Sequence, residues 1–69
     1  MSLKEAQKIA REHGMSIRKT PYKEYRVNFK DKTEAHAVYE ASVKDALDTA
    51  KAMYDHRKRH PEKYYYHGR

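Results

Sequence analysis

Cysteine is absent from the sequence, which excludes a disulfide framework and a thiolate-bound metal and leaves nothing that points to secretion. A single domain of 69 residues must then hold itself together by packing alone, near the lower size limit for doing so. Long apolar runs are missing as well. The sequence shows neither a signal-peptide core nor a membrane span, so a soluble cytoplasmic protein is expected. Glycine is confined to Gly14 and Gly68, which leaves no loop able to cradle a phosphate with backbone amides. No nucleophile, base and orienting group can be assembled from the spacing, and so short a chain has no room for a walled cleft. The expectation is a protein that is not an enzyme and carries no cofactor. His56 and His60 stand four apart and could share a helix face, but no third ligand has suitable spacing, so no metal site is expected. His13 and His36 read as a helix-end residue and a surface strand residue.

Positive charge is what the sequence has in excess. Sixteen Lys and Arg against ten Asp and Glu give a net charge of +6, which favours an acidic partner. The excess is segregated rather than interspersed. Residues 15–32 hold six bases and two acids, residues 57–69 five bases and one acid, and the intervening 33–56 five acids and two bases. A solubility device would mix the signs, whereas this pattern loads particular elements with one sign.

Hydrophobic periodicity locates those elements. A helix is predicted from about Leu3 to His13: Ser2 and Glu5 have the spacing of a capping box, Leu3, Ala6, Ile9, Ala10 and His13 fall on one face, and Gly14 can take the left-handed stop. A second helix is predicted from about Val43 to Arg57. Ser42 is its N-cap, Val43, Ala46, Leu47, Ala50, Met53 and Tyr54 form its apolar stripe, and Pro61 limits its extension. Between them the period changes to two. Met15 and Ile17 alternate with Ser16 and Arg18 before Thr20-Pro21, and Tyr25, Val27 and Phe29 alternate with Arg26, Asn28 and Lys30. The turn Lys30-Asp31-Lys32-Thr33 lacks glycine, which leaves its length open. A third strand over Glu34 to Tyr39 fits two registers. The favoured one turns Ala35, Ala37 and Tyr39 inward and His36 and Val38 outward, because small alanines would let a helix pack closely.

The fold class expected is α+β: helix, three-stranded antiparallel sheet, helix, with both helices on one face of the sheet. Residues 1–58 would form one domain, and residues 59–69 a basic, tyrosine-rich tail. The other face of the sheet would then display Ser16, Arg18, Arg26, Asn28 and Lys30, with Lys19, Lys23 and Lys32 in its loops. Together with Arg57, Lys58 and Arg59, these cations and Asn28 are the candidate nucleic-acid-binding residues. Arg26 and Asn28 lie two apart on one strand, where a guanidinium could read guanine and a carboxamide adenine in a major groove. Edge protection by solvated lysines and arginines is the competing explanation of a basic sheet face. Tyr64, Tyr65 and Tyr66, set among cations, suit an unstructured terminus, base stacking or a homodimer contact, in that order of preference.

The stretch "YRVNFKDKTEAHAVYEASVKDALDTAKAM" carries a resemblance. Residues Met15 to Tyr54 resemble the arm-type DNA-binding domain of phage tyrosine integrases and the plant ethylene-response-factor domain. In those families three strands lie in the major groove and a following helix braces them, which implies duplex DNA as the partner. The chain departs from them in lacking a glycine in the hairpin turn and in adding an N-terminal helix. Its element order also looks like a double-stranded-RNA-binding domain. That family normally has lysines at the start of its last helix, where this sequence has Val43, Lys44, Asp45 and Asp48, so RNA is the second alternative. The chain as a whole is similar to small basic proteins that temperate phages and plasmids encode. The first alternative is accordingly a protein-protein module that inhibits or modulates a host protein through an acidic surface.

Overall fold

The computed structural model describes residues 1–31 and 36–61. The chain runs α1 (Leu3–Glu12), β1 (Met15–Lys19), β2 (Tyr25–Phe29), β3 (Val38–Glu40) and α2 (Val43–Arg59). The three strands form one antiparallel sheet in the order β1-β2-β3.

Local chemistry sets the ends of α1. The Glu5 amide donates to Ser2 Oγ at 3.2 Å and the Ser2 amide to Glu5 Oε1 at 3.0 Å, which completes the capping box. The amide hydrogen bond from Ser2 holds the exposed Glu5 carboxyl below the usual carboxylate range. At the other end His13 caps the helix and Gly14 takes a φ of 72°, a conformation that glycine adopts without strain. The His13 ring meets Tyr54 of α2 edge-on, with centroids 4.6 Å apart, so the two helices are tied where α1 ends.

The β1–β2 register pairs Met15 with Phe29, Ile17 with Val27 and Arg18 with Arg26. Directly paired residues share a face, so Met15, Ile17, Val27 and Phe29 all point the same way. Against that face pack Ala6 and Ala10 of α1 and Ala46, Leu47 and Ala50 of α2, all of them buried. Both helices therefore cover one face of the sheet, as the sequence predicts. Among the described residues, four of the nine buried apolar ones are alanines on the helices, which lets the helices approach both each other and the sheet. Met15, Ile17 and Val27 supply bulk between them, each contributing roughly 1.5–3 kcal/mol when buried.

Thr20 organises the β1–β2 turn. Its carbonyl accepts from the Lys23 amide at 3.3 Å, and its hydroxyl accepts from the amides of Tyr22 and Glu24 at 3.2 and 3.4 Å. Lys23 closes the turn with a φ of 62°, a left-handed conformation that costs a non-glycine residue about 1–2 kcal/mol.

The third strand differs from expectation in both position and register. It occupies Val38–Glu40, and it pairs Val38 with Val27, Tyr39 with Arg26 and Glu40 with Tyr25. Tyr39 consequently points away from the helices, and Val38 shares the face of Val27, the reverse of the favoured register. The reason lies in α2: Glu40 reaches the helix side, where Thr49 Oγ1 donates to its carboxylate at 2.6 Å. The alanines that allow close packing are those of the helices. Ala35 lies outside the described residues, and Ala37 is only half-buried.

Helix α2 begins behind Ser42, whose Oγ accepts from the Asp45 amide at 3.1 Å. It continues two residues beyond the predicted end, to Arg59, with His60 as its C-cap before Pro61. Residues 62–69, and with them the three tail tyrosines, lie outside the described residues.

Candidate nucleic-acid interface

On the sheet face away from the helices, the register sets Arg18, Arg26 and Tyr39 side by side across all three strands. Directly opposed residues in an antiparallel sheet are about 4.5–5.5 Å apart at Cα, so this row presents two guanidinium groups and a phenol ring within one short span. Arg18 is exposed, Arg26 is half-buried, and Tyr39 remains 44% exposed. Lys19 and Lys23 are exposed at the two sides of the β1–β2 turn. Tyr22, 81% exposed, stands at the tip between them. Lys30 is exposed just beyond β2, its amide donating to the Gly14 carbonyl at 3.0 Å and so fixing it beside the start of β1. Lys32 lies outside the described residues.

Asn28 departs from expectation. It sits on the predicted face, opposite Ser16, yet it is only 1% exposed. Its Oδ1 accepts from the Phe29 amide at 2.8 Å. Among the described residues β3 pairs with β2 over Tyr25–Val27, and the carboxamide serves the β2 backbone just beyond that span. A side chain so buried and engaged is not displayed to a base edge. The pairing of Arg26 with Asn28 as a two-residue base reader is corrected accordingly.

The cations at the end of α2 have local partners. Arg57 grips both oxygens of Asp31, with Nη1–Oδ1 at 2.9 Å and Nη2–Oδ2 at 2.8 Å, while its guanidinium carbon lies 4.8 Å from the centre of the Phe29 ring. It thereby covers the end of the core and ties α2 to the residues after β2. Arg59 pairs with Asp55 at 2.9 Å along the helix surface, and Lys58 is exposed. Arg57 lines an open pocket together with Lys30 and Asp31, so the end of α2 borders the residues that follow β2. His56 and His60 place their ring centroids 4.8 Å apart, and no group of three metal-ligating side chains occurs among the described residues.

Two functional candidates escape a reading of the sequence. β1 is an edge strand, and the Gln7 carboxamide donates to its Ile17 carbonyl at 2.9 Å, fastening α1 along that edge. One helical turn later Arg11 joins Gln7, Ser16, Ile17, Arg18 and Lys30 around an open groove of about 250 Å³. The sequence signal was the four-residue spacing of Gln7 and Arg11, which puts them on one flank of α1 beside its core face. Among the described residues no helix is long and apolar enough to cross a membrane. Comparison with protein-family models, curated proteins and solved structures finds no match, so the function must be argued from the chain's own residues.

Proposed function

We propose that this protein is a small nucleic-acid-binding module that engages duplex DNA through the sheet face away from its helices. The observation that carries the reading is the segregation of charge in three dimensions. Arg18, Lys19, Lys23 and Lys30 are all exposed on β1, its turn and the end of β2, and Glu24 is the only carboxylate between residues 15 and 30. α2 mixes the two signs instead, with Asp48 paired to Lys44 and Asp55 to Arg59 on its exposed surface. A face so poor in carboxylates draws a polyanion toward it before contact. Phosphate contacts dominate the affinity on this reading, and Arg26 is the remaining candidate for a base contact.

The test is a fluorescence-anisotropy titration of a labelled duplex across a salt series. Micromolar binding that weakens steeply with salt is expected, because neutralising several phosphates releases counterions. Undetectable binding at about 50 mM salt and ~100 μM protein would end the DNA reading and leave an acidic protein surface as the partner class. Arg26→Ala should relax base preference if Arg26 contacts a base, and weaken all duplexes equally if it contacts phosphate.

A further inference from the structure

We infer that the groove between α1 and the outer edge of β1 is a phosphoryl-binding site, formed by Arg11, Arg18 and Lys30 with Ser16 beside them. The inference rests on the nucleic-acid reading only for what carries the phosphoryl group. A nucleic-acid backbone and a free polyphosphate offer the same chemistry.

Three separate elements bring these cations to one groove: α1 supplies Arg11, β1 supplies Arg18, and the residue after β2 supplies Lys30. Each is held by backbone or by a neighbour. Gln7 binds the Ile17 carbonyl and so sets the face of α1 that Arg11 shares one turn later. The Lys30 amide is fixed on the Gly14 carbonyl, and Arg18 lies within the β1–β2 ladder. None of the three side chains has a carboxylate partner among the described residues, and no carboxylate lines the groove. Arg57 and Arg59, in contrast, each have one.

Protection of an edge strand needs only a charge or a capping side chain, and Gln7 already caps this edge. It does not account for three cations from different elements lining one groove that no carboxylate lines. The donor types fit a phosphoryl group: two guanidinium forks that can bind oxygens in pairs and an ammonium point charge, while the neighbouring Ser16 hydroxyl donates to the Asn28 carbonyl at 3.5 Å. The groove, about 250 Å³ and open, is lined by polar and charged residues with Ile17 the one apolar exception, a lining that suits an oxyanion.

The test is an NMR titration of the ¹⁵N-labelled protein with sodium pyrophosphate, set against sodium chloride at matched ionic strength. Saturable shifts at the amides of Ser16, Arg18 and Lys30 are expected with pyrophosphate and not with chloride. Arg11→Gln and Lys30→Gln should each weaken pyrophosphate roughly fivefold or more, by loss of a charge-assisted contact, while Lys8→Gln on the same helix leaves it unchanged. In a second arm Arg11→Gln should lower the salt slope of duplex binding by about 0.9, the loss of one phosphate contact. Shifts that never saturate, or an Arg11→Gln protein that behaves like Lys8→Gln, would overturn the site even where duplex binding persists. Saturable pyrophosphate binding without any duplex binding would uphold the site, assign it to free polyphosphate and refute the nucleic-acid function.

Discussion

At the end of α2, Arg57 holds both oxygens of Asp31 and lies over Phe29, and Arg59 pairs with Asp55. Along β1 and its turn, Arg18, Lys19 and Lys23 project into solvent with no carboxylate partner among the described residues. In the sequence the two regions look alike, each a cluster of bases in a mixed chain. Folding separates them. Arg57 is spent on joining α2 to the residues after β2 and Arg59 on an ion pair within its own helix, whereas the β1 set stands without a carboxylate partner among the described residues. Charge density alone therefore does not identify a binding surface; what matters is whether the fold supplies each cation with a counter-charge.

The largest effect that would sharpen this contrast comes from reversing charge on the unpaired side. Arg11→Glu combined with Arg18→Glu is expected to lower duplex affinity by roughly two orders of magnitude or more at about 50 mM salt, since each reversal replaces attraction to phosphate with repulsion. Both side chains are exposed, so unfolding stability should change by no more than about 0.5 kcal/mol each in urea titrations. A loss of about 1 kcal/mol or more for each would give Arg11 and Arg18 a structural role like that of Arg57.

Asn28→Ala should act in the opposite sense. Removal of the acceptor for the buried Phe29 amide is expected to cost about 1–3 kcal/mol of stability, read by chemical denaturation, with base preference unchanged in the folded protein. A change in base preference at full stability would return Asn28 to the interface.

A smaller loss is expected from Arg57→Gln. The Asp31 side chain is 60% exposed, which screens the ion pair, so loss of the pair and of the contact with Phe29 should together cost about 1 kcal/mol. In a domain this small that lowers the melting temperature by roughly 4–8 °C. Duplex affinity, measured well below the melting transition, should stay within about twofold, because Arg57 is turned to Asp31 and distant charges are screened.

The elements that were legible in the sequence are those fixed by neighbours along the chain. Ser2 with Glu5, Ser42 with Asp45, and the alternation from Tyr25 to Phe29 each need only a few residues to state their structure. β3 is different. The run Ala35-His36-Ala37-Val38-Tyr39 offers little contrast between polar and apolar positions. Its register is set by Val38 beside Val27 and by Glu40 reaching Thr49, which are tertiary facts. Alternation placed Asn28 on its face correctly but could not say that the face is covered there. The groove at the β1 edge was hidden for a related reason: Gln7, Arg11, Arg18 and Lys30 meet only after α1 folds back along the strand. Nor does the basic run from Arg57 to Arg59 announce that a partner for Arg57 lies 26 residues earlier, at Asp31.

The claim that one basic region binds and the other builds is tested most directly by the salt dependence of duplex binding in two double variants. Arg18→Gln with Lys30→Gln and Lys58→Gln with Arg59→Gln remove the same charge from the two basic regions. Plots of log K against log salt should lose about 1.8 units of slope in the first variant, at about 0.9 per phosphate contact, and keep the wild-type slope in the second. Equal losses in both, or a loss confined to the α2 pair, would contradict the account.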